Sequence, residues 1–316
     1  MIKIKKEYEV IPHSLMPPTE SFFLEEKPPK TSHTTHEVRI KMAKNGKYDD
    51  SANPRYKLKD VKHSLVHLYD SRCAYCGCYY PQEMLEVEHY RPKNHYQPDN
   101  QKKINEHQNH NGYYWLSLSW DNLLLSCRNC NGSKSSIFDI EDKDNRATYS
   151  EEAHKEWSLI HKLSGLYDDQ EKPLLINPEK EDPIPHFSFS KNGHVKWLTE
   201  KGKNTLNVCN LDRDDLVEKR AEIIEDFETE LIDLANNYRD RPEAFLVFSL
   251  SKIESFRKIT NKPKRSFVAF REQAIKDCWL IDITRNILDK AFIGNRALSK
   301  EEFDSIVSKF NQKRKP

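Results

Sequence analysis

Two C-x-x-C pairs constrain this chain more than any other feature: Cys73 and Cys76 in CAYC, Cys127 and Cys130 in CRNC. The start, MIKIKKEYEV, lacks the continuous apolar core of a signal peptide, and no apolar stretch is long enough to span a bilayer. The expectation is therefore a cytoplasmic chain with no membrane segment, whose thiols stay reduced and favour metal over disulfide. Four thiolates are the ligand set of a closed, tetrahedral, structural zinc site. Two redox motifs flanking one segment would be an unusual coincidence. Cys78 follows the first pair too closely to be an independent ligand and is assigned to packing or surface. Cys209, Cys278 and Trp279 are read as core.

The segment between the pairs must fold to bring them together. EMLEVEHYRPK alternates as a short strand ending at Glu88 and His89, and the hydrophilic stretch that follows reads as a long loop. His95, His107 and His110 fall in that loop and are read as solvated. GYYWLSLSWDNLLLSC then returns to an apolar run interrupted by Asp121 and Asn122. CRNCNGSKSSIFD begins a helix with Asn131 and Lys134 on its first turns. The order is strand, loop, strand, helix.

Composition bounds the rest. With 316 residues, 36% apolar and 32% charged, and only 8 glycines, the chain suits a helix-rich protein better than a barrel or sandwich. Residues 1–56 are rich in proline and lysine and read as an extended arm. Leu58, Val61, Leu65 and Leu68 share helical spacing, so a helix leads into the first cysteine pair. Downstream, two alternating runs around Asn192-Gly193 predict a hairpin. Residues 213–237, a stretch near 242–258, and two or three segments between 266 and 311 carry helical periodicity. The domains expected are 1–56, 57–150 and 151–316. Net charge is +1, so composition announces no nucleic-acid binder. The exception is local: SKIESFRKITNKPKRSFVAFREQAIK (251–276) interleaves basic and aromatic residues. It reads either as solvated amphipathic helices or as a phosphate contact.

Residues 73–138 resemble an HNH nuclease module, the ββα-metal fold, in its zinc-stapled version. The resemblance implies an α+β protein with this module and a mostly helical C-terminal domain. His89 stands at the first histidine, Asn122 at the central asparagine, and Asn131 at the final position after the second cysteine pair. The implied reaction is metal-dependent hydrolysis of DNA phosphodiesters. His89 would be the general base, Glu88 and Asn131 would hold a catalytic magnesium or manganese ion, and Asn122 would orient the hairpin. Arg91, Lys93 and Lys134 would meet phosphates. Glu88 departs from the family, in which many members carry Asp.

Over roughly residues 57–235, HYRPK, YYWLSLSWDNLLLSC, PLLINP and NGHVKWLTEKGKNTLNVCNLDRDDLVEKR are similar to the HNH subunit of Septu-type antiphage systems, also found beside some retrons. That family works with an SMC/ABC-like ATPase, on which the helical part docks. Two alternatives stay open: a stand-alone restriction-type or homing-type HNH endonuclease, and a catalytically silent nucleic-acid-binding module. An RNA substrate is also compatible, since a histidine and one metal do not read the 2′-OH.

Overall fold

A computed structural model of the chain describes residues 1–15, 41–48, 55–94, 111–150, 162–292 and 298–312, apart from residues 2, 9, 43, 261 and 263. The loop histidines His95, His107 and His110 lie outside the described residues. Among the described residues the architecture is α+β, helix-rich with two small sheets. No helix among the described residues is long and apolar enough to cross a membrane.

The chain divides into two compact units, Met1–Phe187 with Trp197–Leu211, and Ser188–Lys196 with Asp212–Pro316. In the first unit, helix α1 (Lys59–Leu68) buries Val61 and Leu65, the centre of the expected stripe, while Leu58 and Leu68 at its ends are half-buried. Strand β1 (Leu85–His89) pairs antiparallel with β2 (Leu123–Cys127), with Leu85 opposite Cys127 and His89 opposite Leu123. Helix α2 (Arg128–Lys134) follows β2 without a break. The apolar run before β2 is not strand. Tyr114–Leu116 and Trp120–Asn122 form 3-10 turns, all of them buried.

Two boundaries differ from those expected. The described N-terminal residues do not form a separate arm, because Met1, Ile4, Lys6, Leu15 and Met42 are buried. The Ile4 amide donates to the Pro178 carbonyl at 2.7 Å. Gly77, at φ +70°, shows how tightly that end is seated: a Cβ there would lie 2.5 Å from the Met1 nitrogen. The first unit also runs past residue 150. The Leu174 amide donates to the Asp139 carbonyl at 2.9 Å, and the Ile176 amide to Thr205 Oγ1, on helix α4 (Glu200–Val208), at 2.9 Å. A short helix, α3 (Asp168–Glu171), precedes these contacts.

Strands β3 (Phe187–Phe189) and β4 (Val195–Trp197) form the hairpin expected around Asn192-Gly193. Gly193, at φ +87°, permits the turn, and a Cβ on it would collide with the Val217 carbonyl. The described residues of the second unit then form five helices: α5 (Asp214–Asn237), α6 (Pro242–Thr260), α7 (Val268–Lys276), α8 (Trp279–Ala291) and α9 (Lys300–Gln312). Helix α5 buries Leu216, Arg220, Ile224, Phe227, Leu231 and Ala235, spaced three and four apart. Asp214 and Asp215 in its first turn complement the helix dipole. Each fully buried Leu or Phe on these stripes contributes about 1.5–3 kcal/mol. Trp279 is buried as expected, but Cys278 is exposed, because it precedes α8 with a positive φ of 59° and lies off the buried stripe.

Candidate functional site

The two cysteine pairs converge. The sulfurs of Cys73, Cys76, Cys127 and Cys130 all lie within 4.8 Å of one another, and all four residues are buried. The Gly77 amide closes the first knuckle onto the Cys73 carbonyl at 3.0 Å, and the Ala74 amide ties it to the Leu125 carbonyl of β2 at 2.8 Å. Zinc bonded at about 2.3 Å to each of four sulfurs sets them roughly 3.8 Å apart, so this cluster fits the ion. The thiols do not behave alike. At Cys73, burial is outweighed by hydrogen bonds from Cys127, Cys130 and Cys76, which hold it well below the ordinary thiol range. Cys130 is pushed well above that range, first by its hydrogen bond with Cys127.

At the end of β1, His89 is 7% exposed. Its Nε2 lies 2.9 Å from the Ser117 carbonyl oxygen. A carbonyl only accepts, so Nε2 carries the proton and Nδ1 is left as the proton-accepting nitrogen. The Tyr56 ring packs edge-on against the imidazole at 4.6 Å between centroids. Burial, then the Lys93 charge, lowers the His89 pKa from its ordinary value to about 3, with the Ser117 bond acting the other way. The ring is neutral at neutral pH.

Asn122 stitches this strand end to the turn that precedes β2. Its Oδ1 accepts from the Arg91 amide at 2.8 Å, while Nδ2 donates to the carbonyls of Arg91 at 3.0 Å and Leu116 at 3.2 Å. The Tyr90 amide adds a bond to the Asn122 carbonyl at 2.9 Å. Next to it, Asp121 is fully buried and accepts from Ser119 Oγ and from the amides of Ser164 and Gly165. Lys6 supports the same turn from the N-terminal segment. Its Nζ donates to the carbonyls of Trp120 at 2.8 Å and Leu123 at 2.7 Å, and pairs with Glu179 at 3.1 Å. Sequence reasoning missed Lys6, because its partners lie more than a hundred residues away.

The cations expected to meet phosphate divide sharply. Arg91 is fully buried: Nε bonds Glu171 Oε2 at 2.7 Å, NH1 the Ser164 carbonyl and Oγ at 2.8 Å each, and NH2 Asp168 Oδ1 at 3.0 Å. Lys134 is also fully buried, with Nζ 2.7 Å from Glu88 Oε1 and 2.9 Å from the His89 carbonyl. Neither has a donor directed at solvent, so both are structural cations. Burying a charge requires partners, and these residues have them. Lys93 differs. It is half-buried, hydrogen-bonded to the Tyr56 hydroxyl, with Nζ 4.1 Å from the Tyr48 ring centroid.

The expected metal ligands are separated in the same way. Glu88 is nearly buried and neutralised by Lys134; burial raises its carboxyl above the ordinary range while Lys134 opposes this. Asn131 instead donates Nδ2 to Glu86 Oε2 at 2.7 Å. Glu86 and Glu88 are two apart on β1 and share a face, and Asn131 and Lys134 are three apart on α2, so the helix meets both carboxylates. Glu86 was not singled out from sequence, though the alternation of LEVEH contains the signal. Glu86 is more exposed than Glu88, but both its oxygens are engaged, Oε1 by Arg128 Nε at 3.2 Å and Oε2 by Asn131.

Comparisons with known proteins bear on this site. No family model and no solved structure matches the chain. The Septu protein PtuB of Bacillus mycoides (strain KBAB4) is 33% identical over 187 residues, covering 57% of this chain and 56% of that protein. The Septu protein PtuB of Bacillus thuringiensis is 29% identical over 185 residues, covering 56% and 52%. The Septu protein PtuA of Bacillus mycoides is 30% identical over 163 residues, which make up 52% of this chain and 20% of that protein. The chain thus spans about half the length of the PtuB proteins it matches, and over that length it is similar to Septu proteins.

Proposed function

We propose that this chain is the nuclease subunit of a Septu-type antiphage system and hydrolyses DNA phosphodiesters through an HNH-type ββα-metal site. The observation that carries the reading is His89: a neutral imidazole at a strand end, its Nε2 proton directed to the Ser117 carbonyl and its Nδ1 left to accept a proton. Nδ1 takes a proton from water, the resulting hydroxide bonds to phosphorus, and the P–O3′ bond breaks with the leaving oxygen taking a proton from solvent water. Asn122 keeps the strand end in register for this step.

The charges that depress His89 also serve the reaction. After burial, Lys93 is the main charge that lowers its pKa, with Lys134, itself paired with Glu88, and Lys57 acting in the same direction. A phosphodiester entering beside Lys93 brings opposite charge and raises His89 toward a working range. Zinc at the four cysteines holds β2, α2 and the first knuckle together and takes no part in the chemistry. A magnesium or manganese ion would be held by Asn131 with a β1 carboxylate, Glu88 or Glu86, in exchange for its Lys134 or Arg128 partner and with water completing its shell, and would supply Lewis-acid neutralisation of phosphate charge.

The partner reading rests on the comparisons. In one relative, PtuA, the matching segment is a fifth of a longer chain. Here the partner would be a separate SMC/ABC-like ATPase subunit. The test is cleavage of plasmid and linear DNA, and of RNA of the same sequence, by the purified chain with Mg²⁺ or Mn²⁺, with and without the product of a neighbouring ATPase gene. DNA cutting that requires or is strongly accelerated by the partner supports the reading. DNA cutting unaffected by any partner makes the chain a stand-alone endonuclease, and RNA cutting alone overturns the substrate.

A further inference from the structure

The second unit contains a cleft of about 470 Å³ that the nuclease reading does not use. It is lined by α5, by α6, by Arg265 and by Arg271 of α7, so one wall belongs to the basic and aromatic stretch 251–276. We propose that this cleft binds a nucleotide phosphate, presented free or within a single strand, with Arg265 and Arg271 on the phosphate and the aromatic wall against the base.

The argument begins with charge. Arg265 and Arg271 line the same cleft, and neither is ion-paired with a carboxylate among the described residues. Arg271 is partly buried; its Nε donates to the Ser266 carbonyl at 3.3 Å and its guanidinium sits 5.0 Å over the Phe256 ring. That leaves its terminal NH groups directed elsewhere. Burial, then the like charge of Arg265, lowers Arg271 from the ordinary guanidinium range, with Asp226 acting in the opposite direction. Two guanidinium groups that disfavour each other are relieved by an anion between them, and the planar fork matches phosphate oxygens. The cleft's other charges do not cancel them. Glu230 is engaged by Lys252 at 2.8 Å, and Asp226 is one carboxylate against two cations.

Shape completes the assignment. Phe248, on the same cleft, is 46% exposed and stacked on Tyr238 with 5.0 Å between centroids, which fixes its ring as an open platform. Bases stack on such platforms whatever their identity. A volume of about 470 Å³ lies within the range of small-ligand sites.

The experiment uses the full, zinc-loaded chain in buffer without magnesium or manganese, so no cleavage occurs and the structural zinc stays in place, and binding at the nuclease site is read separately through Lys93→Gln. Fluorescent ATP and a fluorescent twelve-residue oligothymidylate are titrated against the parent, Arg265→Gln, Arg271→Gln, Phe248→Ala and, as a control for the first unit, Lys93→Gln. Arg265 is exposed, so Arg265→Gln keeps the test valid should Arg271→Gln fold poorly. The proposal predicts that at least one probe binds, about tenfold more weakly in Arg265→Gln, with a shallower salt dependence. Loss with ATP alone identifies a free nucleotide, and loss with the oligonucleotide alone identifies a strand. Binding of neither probe, or equal binding by parent and Arg265→Gln, overturns it.

Discussion

The two units reach stability by different routes. The second buries stripes of Leu, Ile and Phe along helices α5, α6 and α8, and its ion pairs, such as Lys252 with Glu230 and Arg285 with Asp289, are exposed. The first has little regular structure around its site. It is held by four thiols and by buried cations: Arg91 with Glu171, Lys6 with Glu179, Lys134 with Glu88. A helical core distributes its stability over many similar contacts. A site built from loops concentrates it in a few polar groups, each of which becomes costly once its partner is removed.

That contrast is sharpest at the zinc ligands. Cys127→Ser should lose bound zinc and the cooperative unfolding of the first unit, because metal binding is folding free energy, on the order of 10 kcal/mol or more. Zinc content and limited proteolysis check this, and the fragment left intact should come from the second unit. Survival of zinc and of the melting transition would remove the four-cysteine site.

A buried cation should come next. Arg91→Met leaves the buried Glu171 without its counter-charge, while Asp168 keeps Lys180, and should cost about 3–5 kcal/mol by urea denaturation. Had Arg91 been a phosphate contact, the same change would leave stability intact and weaken only DNA binding.

Acid should also destabilise the first unit through His89. The folded His89 pKa is about 3, below the ordinary 6.5, so between these values the unfolded chain binds a proton that the native one does not. Stability present above about pH 6.5 is therefore lost as pH falls toward 3, amounting to about 2 kcal/mol at pH 5. Comparing the parent with His89→Gln at pH 7.5 and 5 isolates that slope from other groups. Equal slopes would place the native imidazole in ordinary contact with solvent.

The smallest effect belongs to the second unit. Lys252→Gln breaks an exposed pair and should change stability by less than about 1 kcal/mol. A larger loss would erase the contrast between the units.

What sequence reasoning reached follows the same division. The stripes of α5 and α6 were legible because helical packing is periodic, and the cysteine pairs because zinc demands that spacing. β1 was legible as an alternating strand, though its alternation also held Glu86, the unnoticed partner of Asn131. The run Tyr113–Trp120 looked like strand because it is apolar. It is a buried loop whose backbone bonds within its own 3-10 turns, with Asn122 and Lys6 taking the Leu116 and Trp120 carbonyls, rather than in a ladder. Arg91, Lys93 and Lys134 were alike in sequence. Their separation into two buried cations and one half-exposed one depends on Glu171, Asp168 and Ser164, some 70 to 80 residues away, and on Glu88 across the hairpin. The N-terminal residues looked unstructured because one lysine and a few apolar residues suffice to seat them.

The most direct measurement is DNA cleavage by His89→Ala beside the parent, with the partner subunit, divalent metal and zinc content held equal. The account predicts a fall of at least about a hundredfold in rate, since a positioned general base contributes that much, with zinc binding and the unfolding transition of the first unit retained. Cleavage at the parental rate by a zinc-loaded, folded His89→Ala protein would contradict it.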